Sequence, residues 1–457
     1  MNGSGNIRQD RDGSARRRRA KLGTPRRRTV TEYISGVDRP FLITVILLLC
    51  IGTVMVFSSS YPYAREYYNN SYKFAINQII WAVVGLLVMS IVICFFTYDR
   101  IRRFSKPLLA VGILLLVCVL VVGSGAKGAV RWIQIGPVSF QPSEIMKFAL
   151  VLFFADYADK YADKIRMPEN LGAVWKRFLL GAIIAVMGAG ALFVVTPKPL
   201  AVIVALILLG TAVAVIYPIN LRKNLPGFYY GILPYVIVLG IVGFLMYLQP
   251  HISGLIIMAA IIFAMMFIGG TPLYYIIFGG LGGAAMLAVL AMSKSHSSAR
   301  LLVWQNPFEY IKDGGWQPVQ SLYAIGSGGF WGVGFGNSRQ KHLYLPEPQN
   351  DYIFSIFCEE MGFIGALFVI CIFAFFIYRG VVIGLRAPDR FSSMLVLGII
   401  MHVGIQIILN VAVVTNTLPS TGISLPFFSY GGTSLVILLA EMGVVLSVSR
   451  HSSVEKT

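Results

Sequence analysis

The sequence predicts an all-α, polytopic membrane protein with about twelve transmembrane helices. Three observations lead there. Only 13% of the residues are charged, where a soluble domain averages about a quarter, and 56% are hydrophobic, with a mean hydropathy of +0.74. Apolar runs long enough to span a bilayer recur along the chain, broken by charge clusters and Gly/Pro turns. Lysine and arginine collect in alternate breaks, as they do on the cytosolic side of membrane proteins.

The elements follow in order. Residues 1–37 form a basic tail whose stretch "RQDRDGSARRRRAKLGTPRRR" holds a large part of the +18 net charge. It has too few apolar residues to fold alone. Beside a membrane span, such a run reads as a cytosolic anchor for anionic lipid rather than a nucleic-acid-binding arm. Spans are expected near 41–60, 74–97, 106–123, 143–162, 177–195 and 199–217, then near 231–248, 252–270, 273–292, 352–377, 392–415 and 427–449. The first is not a cleaved signal: it is long, follows an extended polar tail and lacks a small-residue cleavage site.

With the tail inside, the positive breaks fall on the cytosolic side: Arg100, Arg102, Arg103 and Lys106; Lys160, Lys164, Arg166, Lys176 and Arg177; Arg222 and Lys223; Arg379, Arg386 and Arg390. Residues 38–450 then make the transmembrane domain, and 451–457 a second cytosolic tail. The one long extracytoplasmic loop is 293–351, just before the tenth expected helix. Within 178–250, the runs starting at Phe178 and Phe228 share an outline of helix, Pro-containing break and helix. They fit either a duplicated helical hairpin or two ordinary ones.

The five cysteines (Cys50, Cys94, Cys118, Cys358, Cys371) all fall in apolar runs with no metal-ligand spacing, and no HExxH occurs, so neither disulfides nor a transition metal is expected. The Gly-rich 324–341, "AIGSGGFWGVGFGNSRQK", does not match a phosphate-cradling GxxxxGK[ST] loop. It reads as a flexible segment at the membrane surface, with Phe330, Trp331 and Phe335 in the interface. Arg339 and Lys341 after it would face an anionic headgroup or solvent.

Ionisable residues at membrane depth are functional candidates. Those at or near span positions are Glu144, Asp351, Glu359, Glu360 and Glu441. Glu144 and Lys147 are i,i+3 and share a helix face, which suits an ion pair or a substrate contact. On one helix starting at 351, Glu359 lies about 80° and Glu360 about 180° from Asp351, so the three cannot serve one site. Asp351 is the outer-face acid; Glu359 and Glu360 read as buried struts, and Glu441 has no evident partner.

Several long stretches, in order, resemble one family. "GVDRP" and "FSSS" at the first span, "RWIQIG", "QPSEIMK", "NPF", "QSLYAIGSGGFWGVGFGNSRQKHLYLPE", "DYIFSIFCEEMGFIG" and "LPSTGISLPFFSYGGTSL" resemble signatures of the SEDS family, which includes FtsW, RodA and SpoVE. "GFGNSRQK" is closer to the FtsW and SpoVE branch. The resemblance covers most of the chain after the tail.

It implies a SEDS core of about ten helices plus one extra hairpin, since the stretch between "QPSEIMK" and "RLLVWQNP" is longer than the family's by about one hairpin. It implies an inverting peptidoglycan glycosyltransferase that polymerises lipid II, an undecaprenyl-pyrophosphate disaccharide peptide, at the outer face of the cytoplasmic membrane, in division or sporulation. Its implied partners are a class B penicillin-binding protein and other division-site membrane proteins, with no nucleic acid. Asp351 falls on the family's essential aspartate, and Arg131, Gln141, Glu144, Lys147, Arg300, Glu347 and the "SYGG" at Ser429 to Gly432 on signature positions. The site residues expected are therefore Asp351 for catalysis and Arg131, Gln141, Glu144, Lys147, Arg300, Arg339, Lys341 and Glu347 for substrate.

The chemistry agrees. The acceptor hydroxyl must lose a proton as it attacks the anomeric carbon, which suits a carboxylate base. The departing pyrophosphate needs positive charge from Arg300, Arg339, Lys341, Lys147 or a divalent cation, magnesium or manganese; no organic cofactor is implied. Departures from the family are Gln249-Pro250-His251 where it has Gln-Pro-Asp, and Gln349-Asn350 before Asp351 where His-Thr is common. A lipid II transporter lined by Glu144, Lys147 and His251, or a weakly active scaffold recruiting a penicillin-binding protein, are the competing readings.

Overall fold

The computed structural model describes residues 36–123, 131–136, 138–169, 225–249, 251–293 and 295–451. The basic tail through residue 35 and the expected spans at 177–195 and 199–217, with most of the extra hairpin, lie outside them.

Among the described residues, seven helices are long and apolar enough to cross a membrane. In chain order the elements begin with α1 (Arg39–Tyr68), α2 (Lys73–Phe95), α3 (Tyr98–Arg103) and α4 (Ser105–Val122). A two-stranded hairpin follows, β1 (Ile133–Ile135) and β2 (Val138–Phe140), antiparallel with Gln134 opposite Ser139. Then come α5 (Pro142–Lys160), α6 (Ala162–Ile165), α7 (Pro226–Gly231), α8 (Leu233–Leu248), α9 (Ile252–Gly269), α10 (Leu273–Ser293), α11 (Ser295–Gln305), α12 (Trp316–Gly328), α13 (Ile353–Leu385), α14 (Arg390–Val414) and α15 (Gly432–Ser449).

Local chemistry sets the boundaries. Asp38 caps α1 by accepting from the Phe41 amide at 2.9 Å, with Pro40 in the first turn, and Asp389 and Ser392 form a reciprocal capping box on α14. Helix α5 carries too many charges to stand out by hydropathy, yet Met146, Ala149, Leu150, Val151 and Phe154 are fully buried. It runs through the bundle against α4, α9 and α14. Helices α2 and α15 pack closely because Gly85 and Gly443 face the partner helix. A Cβ at Gly85 would sit 2.4 Å from Leu439, and one at Gly443 2.9 Å from the Met89 carbonyl oxygen.

The two ends of the bundle differ in chemistry. At one end Arg102 bridges Asp156 (2.7 Å) and Asp159 (2.8 Å), Arg379 pairs with Asp38, and the Asp38 amide reaches Ser449 Oγ at 3.1 Å. The arginines of this end, Arg102 and Arg379, belong to the positive breaks read from the sequence. The β-hairpin, α11, α12 and the start of α13 lie at the other end.

The stretch at the hairpin end is structured, and one expectation there, a loose Gly-rich segment, is corrected. The 293–351 stretch contains α11, a 3-10 turn (Ile311–Asp313) and α12, whose buried Pro318, Val319 and Ala324 pack it against α13. The Gly-rich segment is docked rather than loose. Helix α13 breaks at Gly362 (φ 66°, ψ −169°), freeing backbone groups on either side. The glycine segment supplies their partners: Val333 N donates to the Glu359 carbonyl (3.0 Å), Gly334 N to that of Glu360 (3.1 Å), and Phe363 N to that of Gly329 (2.9 Å). A Cβ on Gly332 would lie 2.2 Å from the Glu360 oxygen, so the close approach requires glycine.

The two acids behind this seam are struts. Glu359 accepts from Ser338 Oγ and from the amides of Arg339 (2.9 Å) and Gln340 (3.3 Å). Glu360, fully enclosed, accepts from Ser58 Oγ of α1 (2.7 Å) and from Lys341 Nζ (2.8 Å), which also donates to the Gly336 carbonyl. A charge so far from water stays only when paired and hydrogen-bonded, which accounts for the burial of Lys341.

Candidate functional site

A cavity of about 1080 Å³ opens at the β-hairpin end of the bundle, larger than the roughly 300–1,000 Å³ of a typical ligand pocket. Its walls come from α2, the β-hairpin, the first turns of α5 and α9, the residues before α13, α14, and the segment 415–431 between α14 and α15. Asp351, Glu347, Arg131, Gln141, Glu144, Lys147 and His251 all line it.

Asp351 precedes α13, between the Gln349-Asn350 pair and Tyr352. Asn410 of α14 donates from Nδ2 to the Asp351 carbonyl (2.8 Å) and to the Ile423 carbonyl (2.6 Å), tying both segments to one buried amide. The Tyr430 amide donates to the Gln349 carbonyl at 2.8 Å. Gly422 takes φ +71°, and a Cβ there would stand 3.5 Å from Asp351 Oδ2, so the 420s backbone closes over the carboxylate. Asp351 keeps part of its surface toward the cavity while protein atoms surround the rest. Burial pushes its pKa from 3.8 up to about 6; the charge of Glu347 adds to the rise, while a backbone hydrogen bond and Arg300 oppose it.

Glu347 is exposed, holds a left-handed backbone (φ 45°), and accepts from Asn350 Nδ2 at 2.8 Å. Glu144 and Lys147 form the i,i+3 ion pair at 2.8 Å, and both face the cavity. Lys147 also donates to Gln406 Oε1 (3.1 Å), whose amide donates to the Ser424 carbonyl (3.0 Å). That chain of contacts joins α5, α14 and the 415–431 segment. His251 sits where burial, then Arg131 and Lys147, hold its pKa near about 3, so it stays neutral. Burial and the nearby Arg300 also lower the pKa of Arg131.

The remaining expected residues are not brought together with these. Arg300 on α11 is exposed and its Nη1 lies 3.4 Å from the Ser420 carbonyl; its charge reaches Asp351 and Arg131, but it does not line the cavity. Arg339 is exposed and outside the lining. Lys341 is buried with Glu360, so an expected pyrophosphate ligand is instead a counterion inside the bundle. Glu441 gains a neighbour the sequence did not name, His402 Nδ1 at 3.5 Å.

A family model for FtsW, RodA and SpoVE, described as "Cell cycle protein", matches residues 38–225 and 201–454. The chain belongs to the FtsW/RodA/SpoVE family. Among relatives, stage V sporulation protein E of Bacillus subtilis (strain 168) is 34% identical over 93% of this chain and 100% of that protein. A probable peptidoglycan glycosyltransferase FtsW of Trichlorobacter lovleyi is 34% identical over 91% of this chain and 94% of its own length. Two solved structures share the family fold. One is a chain of a peptidoglycan synthase complex coordinating polymerization and crosslinking (TM-score 0.64, 23% identity), the other RodA of Thermus thermophilus (TM-score 0.59, 23% identity). Each match covers 91% of this chain and 98% of the other.

Sequence reasoning missed Asn410 and Gln406, although their i,i+4 spacing in "GIQIILN" puts two amides on one face of an apolar helix, a readable signal. It also missed Lys73, Asn77 and Trp81 of α2, which line the cavity and whose i, i+4, i+8 spacing puts them on one helix face.

Proposed function

We propose that the protein is a peptidoglycan glycosyltransferase that polymerises lipid II at the outer face of the cytoplasmic membrane, with Asp351 as the general base. The observation that carries this reading is a half-buried carboxylate with a raised pKa, opening into a large cavity at the end of the bundle opposite the basic breaks. The relatives named FtsW support the activity, and the positive-inside pattern supports the orientation, with both termini cytosolic.

The geometry suits the chemistry. A base with a pKa of about 6 is mostly ionised at neutral pH and still takes a proton readily. Asp351 would accept the proton of the acceptor sugar hydroxyl as that oxygen attacks the donor anomeric carbon and the undecaprenyl pyrophosphate leaves. Arg131 faces the same space and would stabilise the charge on the leaving oxygens. Neutral His251, Gln141 and Ser139 offer hydrogen bonds that would orient the sugars. The polyprenyl tails would stay in the bilayer beside the bundle.

Among the described residues, no group of three or more His, Cys, Asp or Glu side chains is arranged to hold a metal ion. A magnesium or manganese ion needs only one or two protein carboxylates when substrate phosphates supply the rest. Glu347 fits that demand, and the ion would offset leaving-group charge.

A class B penicillin-binding protein is the partner we propose, supported by the fold shared with a peptidoglycan synthase complex chain. The division septum is the location that fits the FtsW and SpoVE relatives. The test is reconstitution in vesicles with lipid II, a divalent cation and the cognate penicillin-binding protein. Glycan polymer is expected from the wild type and none from Asp351→Asn. Lipid II crossing the bilayer without polymer would favour transport.

A further inference from the structure

Helix α1 has 30 residues and rises about 45 Å, against a hydrocarbon core of about 30 Å. About ten of its residues exceed what a span needs. At the cavity end this surplus reads "YPYAREYY", and the next turn brings Tyr72 and Lys73. The rings form a connected cluster: Tyr63 lies 4.5 Å from Tyr67 and 6.5 Å from Tyr68, and Tyr68 lies 5.7 Å from Phe74. Phe74 meets Tyr430 of the "SYGG" edge-on at 4.9 Å, and Tyr430 lines the cavity. Lys73 Nζ stands 3.2 Å above the Tyr68 ring, and Lys73 lines the cavity too. Glu347 is within electrostatic reach of Tyr63. The cluster is therefore continuous with the mouth of the site.

Each outer ring has one side packed, Tyr68 under Lys73, Tyr67 on Tyr63 and Tyr72 on Phe57, and keeps surface exposed beyond it. Tyr67 is 63% exposed, Tyr68 47% and Tyr72 56%. Among the described residues, no hydrogen-bond partner is found for the hydroxyls of Tyr63, Tyr67, Tyr68 or Tyr72. Each ring is a rigid apolar face with an unused polar edge, ordered at the cost of two torsions. A pyranose chain has the matching surface, C–H faces bordered by hydroxyls. Aromatics that only anchor a helix need the headgroup layer, whereas these lean on one another and on the cavity wall.

We propose that the tyrosine rim of α1 and the α1–α2 turn binds the carbohydrate backbone of the growing strand as it leaves the cavity, with rings stacked on sugar faces. The proposal rests on the polymerase reading and assigns that site a product track.

The probe is N-acetylglucosamine tetramer, titrated against the full-length protein in nanodiscs and followed by saturation-transfer NMR and calorimetry. Wild type and Asp351→Asn are expected to bind it alike, and Tyr67→Ser/Tyr68→Ser to bind about tenfold more weakly, the loss expected of one or two stacked rings. Polymer made by the double variant is expected to be shorter. Both substituted positions are exposed, so folding is checked simply by an unchanged melting temperature.

Equal affinity in the folded double variant or no binding by wild type would each overturn the rim. Binding that depends on the tyrosines in a protein making no polymer would instead sink the polymerase reading and leave a carbohydrate site standing.

Discussion

Replacing Asp351 by asparagine tests the catalytic argument through two independent quantities. The rise from 3.8 to about 6 corresponds to about 3 kcal/mol of disfavour for the ionised form in the folded state at neutral pH. The sign follows from linkage. The folded pKa lies above the unfolded one, so the stability attached to this group is complete below about 3.8 and is lost as pH rises through about 6. An amide of nearly the same shape carries no such cost. Asp351→Asn should therefore be more stable than wild type at pH 7 by up to about 3 kcal/mol, with the gap closing toward pH 4. Thermal unfolding of both proteins in the same micelles across this range measures it.

Polymerisation should move the opposite way. In wild type about a tenth of the base is ionised at pH 5 and about nine-tenths at pH 7, so the rate should rise with an apparent pKa near 6, and the variant should show none. A variant that polymerises, or one whose stability relative to wild type does not change with pH, would refute the assignment of Asp351 as a buried base.

Four further outcomes follow from the packing. Lys341→Met should cost about 3–5 kcal/mol by stranding Glu360, and Lys341→Met/Glu360→Met should recover much of it, read as a double-mutant cycle of unfolding. Gly332→Ala should lower the melting temperature and the polymerisation rate because its Cβ meets the Glu360 carbonyl, whereas Gly326→Ala, with open space around it, should do neither. Asn410→Ala should slow turnover and also move the apparent pKa of the rate profile, a readout that lost stability alone would not shift. At the buried His402 and Glu441, Glu441→Leu alone should destabilise while His402→Leu/Glu441→Leu stays near neutral, checked by the same unfolding assay.

The sequence by itself determined the membrane class and most of the apolar helices among the described residues, and the family resemblance singled out Asp351 as the acid to test. The first two rest on strong local signals, long apolar runs and alternating positive breaks, and the third on motifs shared with a family. Helical spacing separated Glu359 from Glu360, whereas Asp351 lies before α13 and its direction is set by the loop and the contacts of Asn410 and Gly422. Only the tertiary structure decided which cations share the cavity with Asp351. Lys341 and Arg131 look equally available in one dimension, yet one is enclosed with Glu360 and the other faces the cavity. The Gly-rich segment reads as flexible because its partner, the break at Gly362, lies about thirty residues away and reveals itself only when both backbones dock. Asn410 reaches the Asp351 and Ile423 carbonyls across helix boundaries, so its role depends on long-range contacts that no local pattern encodes.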